Sequence, residues 1–331
     1  MDDLGALTRA LELAEPARAW ARPNPWVGCV IVSGDEVFEG VTASPGGPHA
    51  EVAALSAAGS KAHGSTLYTT LEPCAHHGRT PPCAEAIVDA GVARVVYALE
   101  DPDPLVSGKG VARLRQAGIP TENPEPNSKA EDIKAQVERQ LESYIKHRKT
   151  GRPWVILKLA VSLDGRIAAP DGSSRWITGA EARADSHKLR LLSDAVLVGA
   201  GTVRSDDPEL TTRPSAGEPQ PIRVVLGRAE QGARVQPAVE MSGDLESVLD
   251  QLGEKGVLQL LVEGGAKVAH SFHSAGLVDR YVFYVAPAIF GGDDAVPMFS
   301  GSGAGTMEDV WRGRVVSVGR LGPDLRLDVE P

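Results

Sequence analysis

Pro48-His49-Ala50-Glu51, then Leu71-Glu72-Pro73-Cys74, then Pro81-Pro82-Cys83: this interrupted stretch decides how the first half of the chain must fold. One imidazole and two thiolates fill three corners of a zinc tetrahedron. A fourth corner left for water separates a catalytic zinc centre from a closed structural one. Glu51, two residues past the histidine, is spaced to shuttle protons without binding metal. A structural zinc knuckle or simply buried cysteines is the competing reading, and an open corner beside a carboxylate weighs against it. These ligands also ask for particular local structure. Residues 49–59 are Ala-rich and end on Gly59, a helix stop signal. Pro81-Pro82, followed by Ala84-Glu85-Ala86-Ile87-Val88 and Gly91, predicts a second helix with proline near its start. His49 and Cys83 would then stand at helix N-termini, where the dipole favours thiolate and metal-bound hydroxide.

The pattern follows the zinc-deaminase signature H-x-E…P-C-x-x-C. It departs from that signature in one respect: eight residues, not two, separate Cys74 from Cys83, so that 75–82 reads as a loop added inside the metal clasp.

Around this centre the sequence reads as alternating strands and helices. Leu4, Leu7, Leu11 and Ala14 have helical spacing, interrupted at Pro16. Residues 26–32 are an apolar strand, Ser33-Gly34-Asp35 a hairpin turn and 37–41 the returning strand. Further strands are expected over 66–71 and 94–99, a short helix over 111–118 and a single longer amphipathic helix over 130–147. Asn24, before Pro25, is either turn chemistry or a side chain that reads a pyrimidine edge. The basic stretch 147–153 separates a first domain, 1–147, from a second, 148–331. The second is expected to carry strands over 154–161, 195–198, 222–226, 257–262 and 281–286, with helices over 178–192, 245–252 and 268–275. Both halves are α/β layer domains. Glycine-rich turns, Gly199-Ala200-Gly201-Thr202 and Glu263-Gly264-Gly265-Ala266, each follow a strand, where backbone N–H groups can hold phosphate. The first lacks the third glycine of the dinucleotide fingerprint, and no acidic ribose ligand stands downstream.

Composition narrows the class. A chain of 331 residues suggests about two domains. A net charge of −10 argues against a nucleic-acid surface, which needs a basic footprint. Three cysteines, two assigned to metal and Cys29 left over, are no disulfide framework and fit a reducing cytoplasm. The N-terminus lacks the shape of a signal peptide, and the longest apolar runs, near 26–32 and 281–290, are too short to span a bilayer.

Three groups of residues resemble one family in the first half: Asn24-Pro25-x-Val27-Gly28-Cys29-Val30-Ile31, His49-Ala50-Glu51, and Thr70-Leu71-Glu72-Pro73-Cys74-x-His76-His77-Gly78-Arg79-Thr80-Pro81-Pro82-Cys83. In the second half the resemblance rests on 158–166, Ser174-x-Trp176-Ile177-Thr178, 202–213 and Glu263-Gly264-Gly265. The chain resembles the RibD family of bifunctional riboflavin-biosynthesis enzymes. The resemblance implies a cytidine-deaminase-like domain followed by a dihydrofolate-reductase-like one, with Zn2+ and NADPH as cofactors. It also implies two reactions: deamination of 2,5-diamino-6-(5-phosphoribosylamino)pyrimidin-4(3H)-one, then reduction of its ribose to ribityl. A related pyrimidine of another pathway is the alternative. Carried over residue by residue, His76 and Arg79 would meet the substrate, Arg79 its phosphate. Ala160, Trp176, Thr202, Asp206, Gly264, Gly265, Ala266, Lys267, Val268 and Ala269 would line NADPH. Ser174, Arg190, Leu210, Arg213 and Glu263 would hold the reductase substrate, with Arg190 and Arg213 clamping its phosphate. Hydride addition to the anomeric carbon leaves a ring oxygen that must gain a proton, and Lys158 and Asp206 are the chemically suited donors or donor-positioners. Two departures stand out: Thr42 occupies the place of a family histidine, and Asp103 that of a family asparagine. The expected partner is a small phosphorylated pyrimidine, with neither nucleic acid nor membrane, and the expected state is a homo-oligomer.

Overall fold

A computed structural model describes residues 1–75, 81–104, 106–212 and 219–331. The chain divides into two compact units, Met1–Gly151 and Arg152–Pro331.

The first unit runs α1 (Asp3–Ala14), β1 (Gly28–Ser33), β2 (Glu36–Val41), α2 (Ala50–Ala58), β3 (Thr66–Leu71), α3 (Cys83–Asp89), β4 (Arg94–Leu99), α4 (Lys109–Gln116), β5 (Thr121–Glu122), α5 (Ser128–Gln140) and α6 (Glu142–Thr150). Its sheet has the order β2-β1-β3-β4-β5. The hairpin expected at Gly34 pairs β1 with β2 antiparallel; β1 is also antiparallel to β3, and β3, β4 and β5 are parallel. Alternating strand and helix thus build a layer domain, as expected. The zinc helix lies close against the sheet: a Cβ at Gly40 would come within 2.2 Å of the Ala50 carbonyl oxygen, so only glycine lets β2 and α2 approach this far. The single helix expected over 130–147 is two helices. Leu141 leaves helical dihedrals between α5 and α6 and is fully buried, so the chain turns there without a glycine or proline to announce it. The second helix runs to Thr150 and stops at Gly151 in the left-handed conformation, so the expected change-over at 147/148 falls inside it.

The second unit runs β6 (Trp154–Ser162), β7 (Arg166–Ala168), α7 (Ala180–Leu191), β8 (Ala195–Gly199), α8 (Ala200–Asp206), β9 (Ile222–Leu226), β10 (Val239–Met241), α9 (Leu245–Glu254), β11 (Gln259–Val262), α10 (Ala266–Ser274), β12 (Arg280–Ala286), β13 (Val296–Pro297), β14 (Arg314–Leu321) and β15 (Asp324–Glu330). An eight-stranded sheet has the order β10-β9-β8-β11-β6-β12-β15-β14, parallel as far as β12 and antiparallel beyond. The alternation along β6 sorts two cores. Val155, Leu157, Leu159 and Val161 pack with α9 and α10, through Val248, Leu252 and Phe272. Ile156 and Ala160 pack with α7 and α8, through Ala182, Leu189 and Val203. Period-two alternation puts Lys158 on this second face. The strands β14 and β15 were not foreseen.

Candidate active sites

Three elements assemble the metal centre. Strand β3 ends at Leu71 and hands the chain to Cys74; His49 caps α2 with extended dihedrals (φ −72°, ψ 164°); Cys83 opens α3. His49 Nδ1 lies 3.6 Å from Cys74 Sγ and 3.3 Å from Cys83 Sγ. Ligands bonded to one zinc at its usual distances and tetrahedral angles stand roughly 3.6 Å apart, so the three donors fit the ion. Among the described residues they are the one His/Cys/Asp/Glu group of this kind. The Cys83 N–H donates to Cys74 Sγ at 3.3 Å. With Cys83 and His49 beside it, the Cys74 thiol is held well below its usual range, while the same pairing and burial push the Cys83 thiol up.

Glu51 stands in the first turn of α2 and is buried. Burial pushes its carboxyl up to about 7, and the Cys74 charge acts in the same direction. The surrounding cavity is about 360 Å³ and is lined by Asn24, Thr42, Asp101, Asp103, Tyr144 and Arg148 besides the metal residues. The Asn24 N–H closes a turn onto the Ala21 carbonyl, and the residue lines the cavity. His76 and Arg79 lie outside the described residues.

Sequence reasoning passed over several residues here. The carboxylate of Glu72, next to the metal ligands, accepts from the N–H groups of Gly108 (2.9 Å), Gly110 (3.0 Å) and Val111 (3.1 Å), which fixes the start of α4 against the centre. Side-chain oxygen atoms facing three amides make a strong anchor. Gly110 is required, because a Cβ there would meet the Pro73 carbonyl oxygen at 1.7 Å. Asp101 accepts from the Asp103 N–H (2.9 Å) and from the Tyr144 hydroxyl (3.2 Å), and burial pushes its carboxyl up to about 6. Thr42 is committed to β1's entry, where its hydroxyl accepts from the Val27 N–H at 3.0 Å.

In the second unit a cavity of about 410 Å³ brings together Lys158, Ala160, Ser174, Trp176, Arg190, Thr202, Asp206, Leu210, Glu263, Gly264 and Gly265. These come from both ends of the sequence reading. The two glycine turns meet: the Gly265 N–H donates to Thr202 Oγ1 at 3.2 Å. A side chain is shut out at Gly264, where a Cβ would press on Val268 at 2.5 Å. Leu210 is held in the left-handed region (φ 53°), a conformation that costs a non-glycine residue about 1–2 kcal/mol. Ala269 is fully buried in the core, Ala266 is buried, Val268 is half-buried against the same core and Lys267 is exposed; the lining of the cavity does not include these four. Arg190 is not an open fork. Its Nε and Nη2 donate to the two Glu263 oxygens at 2.6 and 3.0 Å, and its Nη1 to the Thr211 carbonyl. Lys158 Nζ approaches the same carboxylate at 3.5 Å. Burial alone would raise the Glu263 carboxyl, yet Lys158 and Arg190 take it down to about 2. Arg213 lies outside the described residues. The structure adds Arg183, whose guanidinium lies 4.4 Å from the centre of the exposed Trp176 ring, and Tyr284, beneath Lys158.

Comparison with known proteins agrees with both halves. Residues 2–99 match the cytidine and deoxycytidylate deaminase zinc-binding region, and residues 153–327 the RibD C-terminal domain. The riboflavin biosynthesis protein RibD of Escherichia coli is 38% identical, with 99% of each chain covered. A solved Acinetobacter baumannii RibD superposes with a TM-score of 0.92 at 39% identity, covering 99% of this chain and 98% of that one. The Thermotoga maritima diaminohydroxyphosphoribosylaminopyrimidine deaminase/5-amino-6-(5-phosphoribosylamino)uracil reductase gives 0.88 at 34% identity, covering 99% and 98%. No described helix is long and apolar enough to cross a membrane. With a zinc-binding set in one unit, a glycine-lined cavity in the other and full-length relatives at this identity, the chain belongs to the RibD family of riboflavin biosynthesis proteins.

Proposed function

We propose that the first unit hydrolytically deaminates 2,5-diamino-6-(5-phosphoribosylamino)pyrimidin-4(3H)-one. The second then reduces the ribose of the product to ribityl, giving 5-amino-6-(5-phosphoribitylamino)uracil. The observation that carries this reading is the joint presence of the His49–Cys74–Cys83 set beside buried Glu51 and of the Lys158–Glu263–Arg190 cluster in the second cavity. When bound, zinc supplies Lewis acidity and an acidified water, and NADPH supplies hydride.

His49, Cys74 and Cys83 hold the metal. Glu51 accepts the proton that the attacking water loses and returns one to the departing amine, so that ammonia leaves as a neutral molecule. Its burial beside the metal residues places it for both halves of that exchange. Asn24, lining the cavity, is placed for the pyrimidine edge. In the second unit Thr202, Gly264 and Gly265, with Ala160 and Trp176, form the cofactor wall; Ser174, Leu210 and Glu263 belong to the substrate. Lys158, with Asp206 in the same cavity, brings a proton to the ring oxygen released as the anomeric carbon is reduced. Glu263 keeps that ammonium aimed.

We place the protein in the cytoplasm, acting on a small phosphorylated substrate without nucleic acid; three unpaired cysteines and a net charge of −10 support this. Edge strand β14, which exposes Val315 and Val318, gives a homo-oligomer a surface to form on. The test supplies the purified chain with the diaminopyrimidinone: ammonia should appear first, then one NADPH should be consumed per deaminated molecule. Lacking an acidic ribose ligand after its glycine turn, the second unit should show a higher kcat/KM with NADPH than with NADH. A preference for NADH would overturn the cofactor wall drawn here.

A further inference from the structure

The second cavity holds an arginine that neither motif nor family pattern singles out. Of the arginines that line it, Arg190 is paired with Glu263 and Arg234 with Glu209. Arg183 is used differently. It stands in the first turn of α7, and its Nη1 donates to the Thr178 carbonyl at 2.6 Å. Its guanidinium carbon lies 4.4 Å from the centre of the Trp176 ring, the shortest cation–ring approach among the described residues. The base under this contact is fixed. The N–H of Gly179, which caps α7, donates at 2.6 Å to the carboxylate of buried Asp324, and Ala182 on the same turn packs into the core. At the other flank, Arg175 donates to the Asp206 carbonyl. The short segment around Trp176 is thus tied on both sides, yet the indole itself is 66% exposed.

We propose that Arg183 is a positioning residue for Trp176. Set against one face of the indole and bonded to the carbonyl two residues on, it holds the ring as a platform for a planar ring of the nicotinamide cofactor. The inference rests on the function proposed above, in which Trp176 belongs to the cofactor wall. An exposed tryptophan turns about two side-chain bonds, and that freedom is lost when a ligand stacks on it. A cation drawn to the negative face of the ring removes the freedom before the ligand arrives and leaves the rest of the indole open. Arginine suits the task because its planar fork can lie against an aromatic face and donate a hydrogen bond at the same time. Affinity for the cofactor then depends on Arg183 through the indole, with no contact between the guanidinium and the cofactor required.

A double-mutant cycle tests it on the full-length zinc-loaded enzyme, with NADPH as probe and the deaminated intermediate at saturation. Arg183→Gln should raise the KM for NADPH about tenfold with kcat changed less than about threefold. Trp176→Leu alone should raise it about tenfold or more. Adding Arg183→Gln to Trp176→Leu should raise it less than about threefold further, because no indole is left to hold. Deamination and the melting temperature report on the fold. An unchanged KM in either single variant overturns the inference. So does an equal rise from Arg183→Gln in both backgrounds, the mark of a direct contact between Arg183 and a cofactor phosphate. Should Arg183→Gln fail to fold, Arg183→Lys takes its place in the cycle. It keeps the charge but not the planar fork, and should raise the KM for NADPH about threefold in the parent and not beside Trp176→Leu. No rise in the parent, or the same rise in both, overturns the inference in that case. Turnover by the parent tests the proposed function; only the differences among variants test this pair.

Discussion

Glu51→Gln should retain zinc and fold and lose deaminase activity by about 10² to 10⁴, toward the upper end because the group is used twice. The carboxamide keeps the size of the side chain at a buried position and leaves His49, Cys74 and Cys83 untouched. It cannot take up a proton from water or give one to the amine. Supplied with the deaminated intermediate and NADPH, the variant should reduce it at close to the parent rate, since the reductase cavity is built entirely from residues after 157. Metal analysis, ammonia release and NADPH oxidation on one preparation measure all three. Deamination within tenfold of the parent would remove Glu51 from the proton path.

Glu263→Gln should be the most damaging substitution in the second unit. The carboxylate is 9% exposed and stands between Arg190, 15% exposed, and Lys158, 16% exposed. Removing one partner of a buried ion pair leaves cations without compensation, which typically costs about 3–5 kcal/mol. For a unit of this size that lowers its melting temperature by roughly 10 °C, and reduction should fall with it because Lys158 loses its anchor. The pH dependence has a definite sign. The folded carboxyl sits at about 2 against an ordinary value of 4.5. Its stabilisation is therefore present above 4.5 and is lost as the pH falls from there toward 2. Thermal unfolding between pH 6 and pH 3 should show parent and variant converging as acid removes from the parent what the variant already lacks. Parallel curves would mean that Glu263 is not the charge holding the cluster.

How legible these sites were depended on how local their determinants are. Thr66–Leu71 and Arg94–Leu99 were read with their bounds because each is a strand-length run rich in β-branched, aromatic and leucine residues. The zinc ligands were legible for the same reason: their spacing and helix signals lie within 35 residues of chain. The break at Leu141 was not, because the apolar pattern runs on through it and only tertiary burial of that leucine reveals the turn. The hairpin of β14 and β15 carries arginines and aspartates among its valines and leucines, and its exposed outer strand weakens the alternation that marks a half-buried sheet. Arg190 was identified as a cavity residue, but its partner stands 73 positions away, and a sequence does not show that the guanidinium is already committed. Likewise Tyr144 and Arg148 read as one side of an ordinary amphipathic helix. Their place on the zinc cavity follows from the fold that brings α6 back to Asp101 and Asp103.

Two chemistries in two separate units of one chain should respond differently to loss of metal. Stripping it with a chelator and measuring both reactions on the same sample, with circular dichroism to confirm the fold, tells them apart. Deamination should vanish and return when zinc is restored, while NADPH-dependent reduction of supplied deaminated intermediate stays close to its starting rate throughout. Equal loss of both activities in folded protein, or deamination that persists without zinc, would contradict this separation.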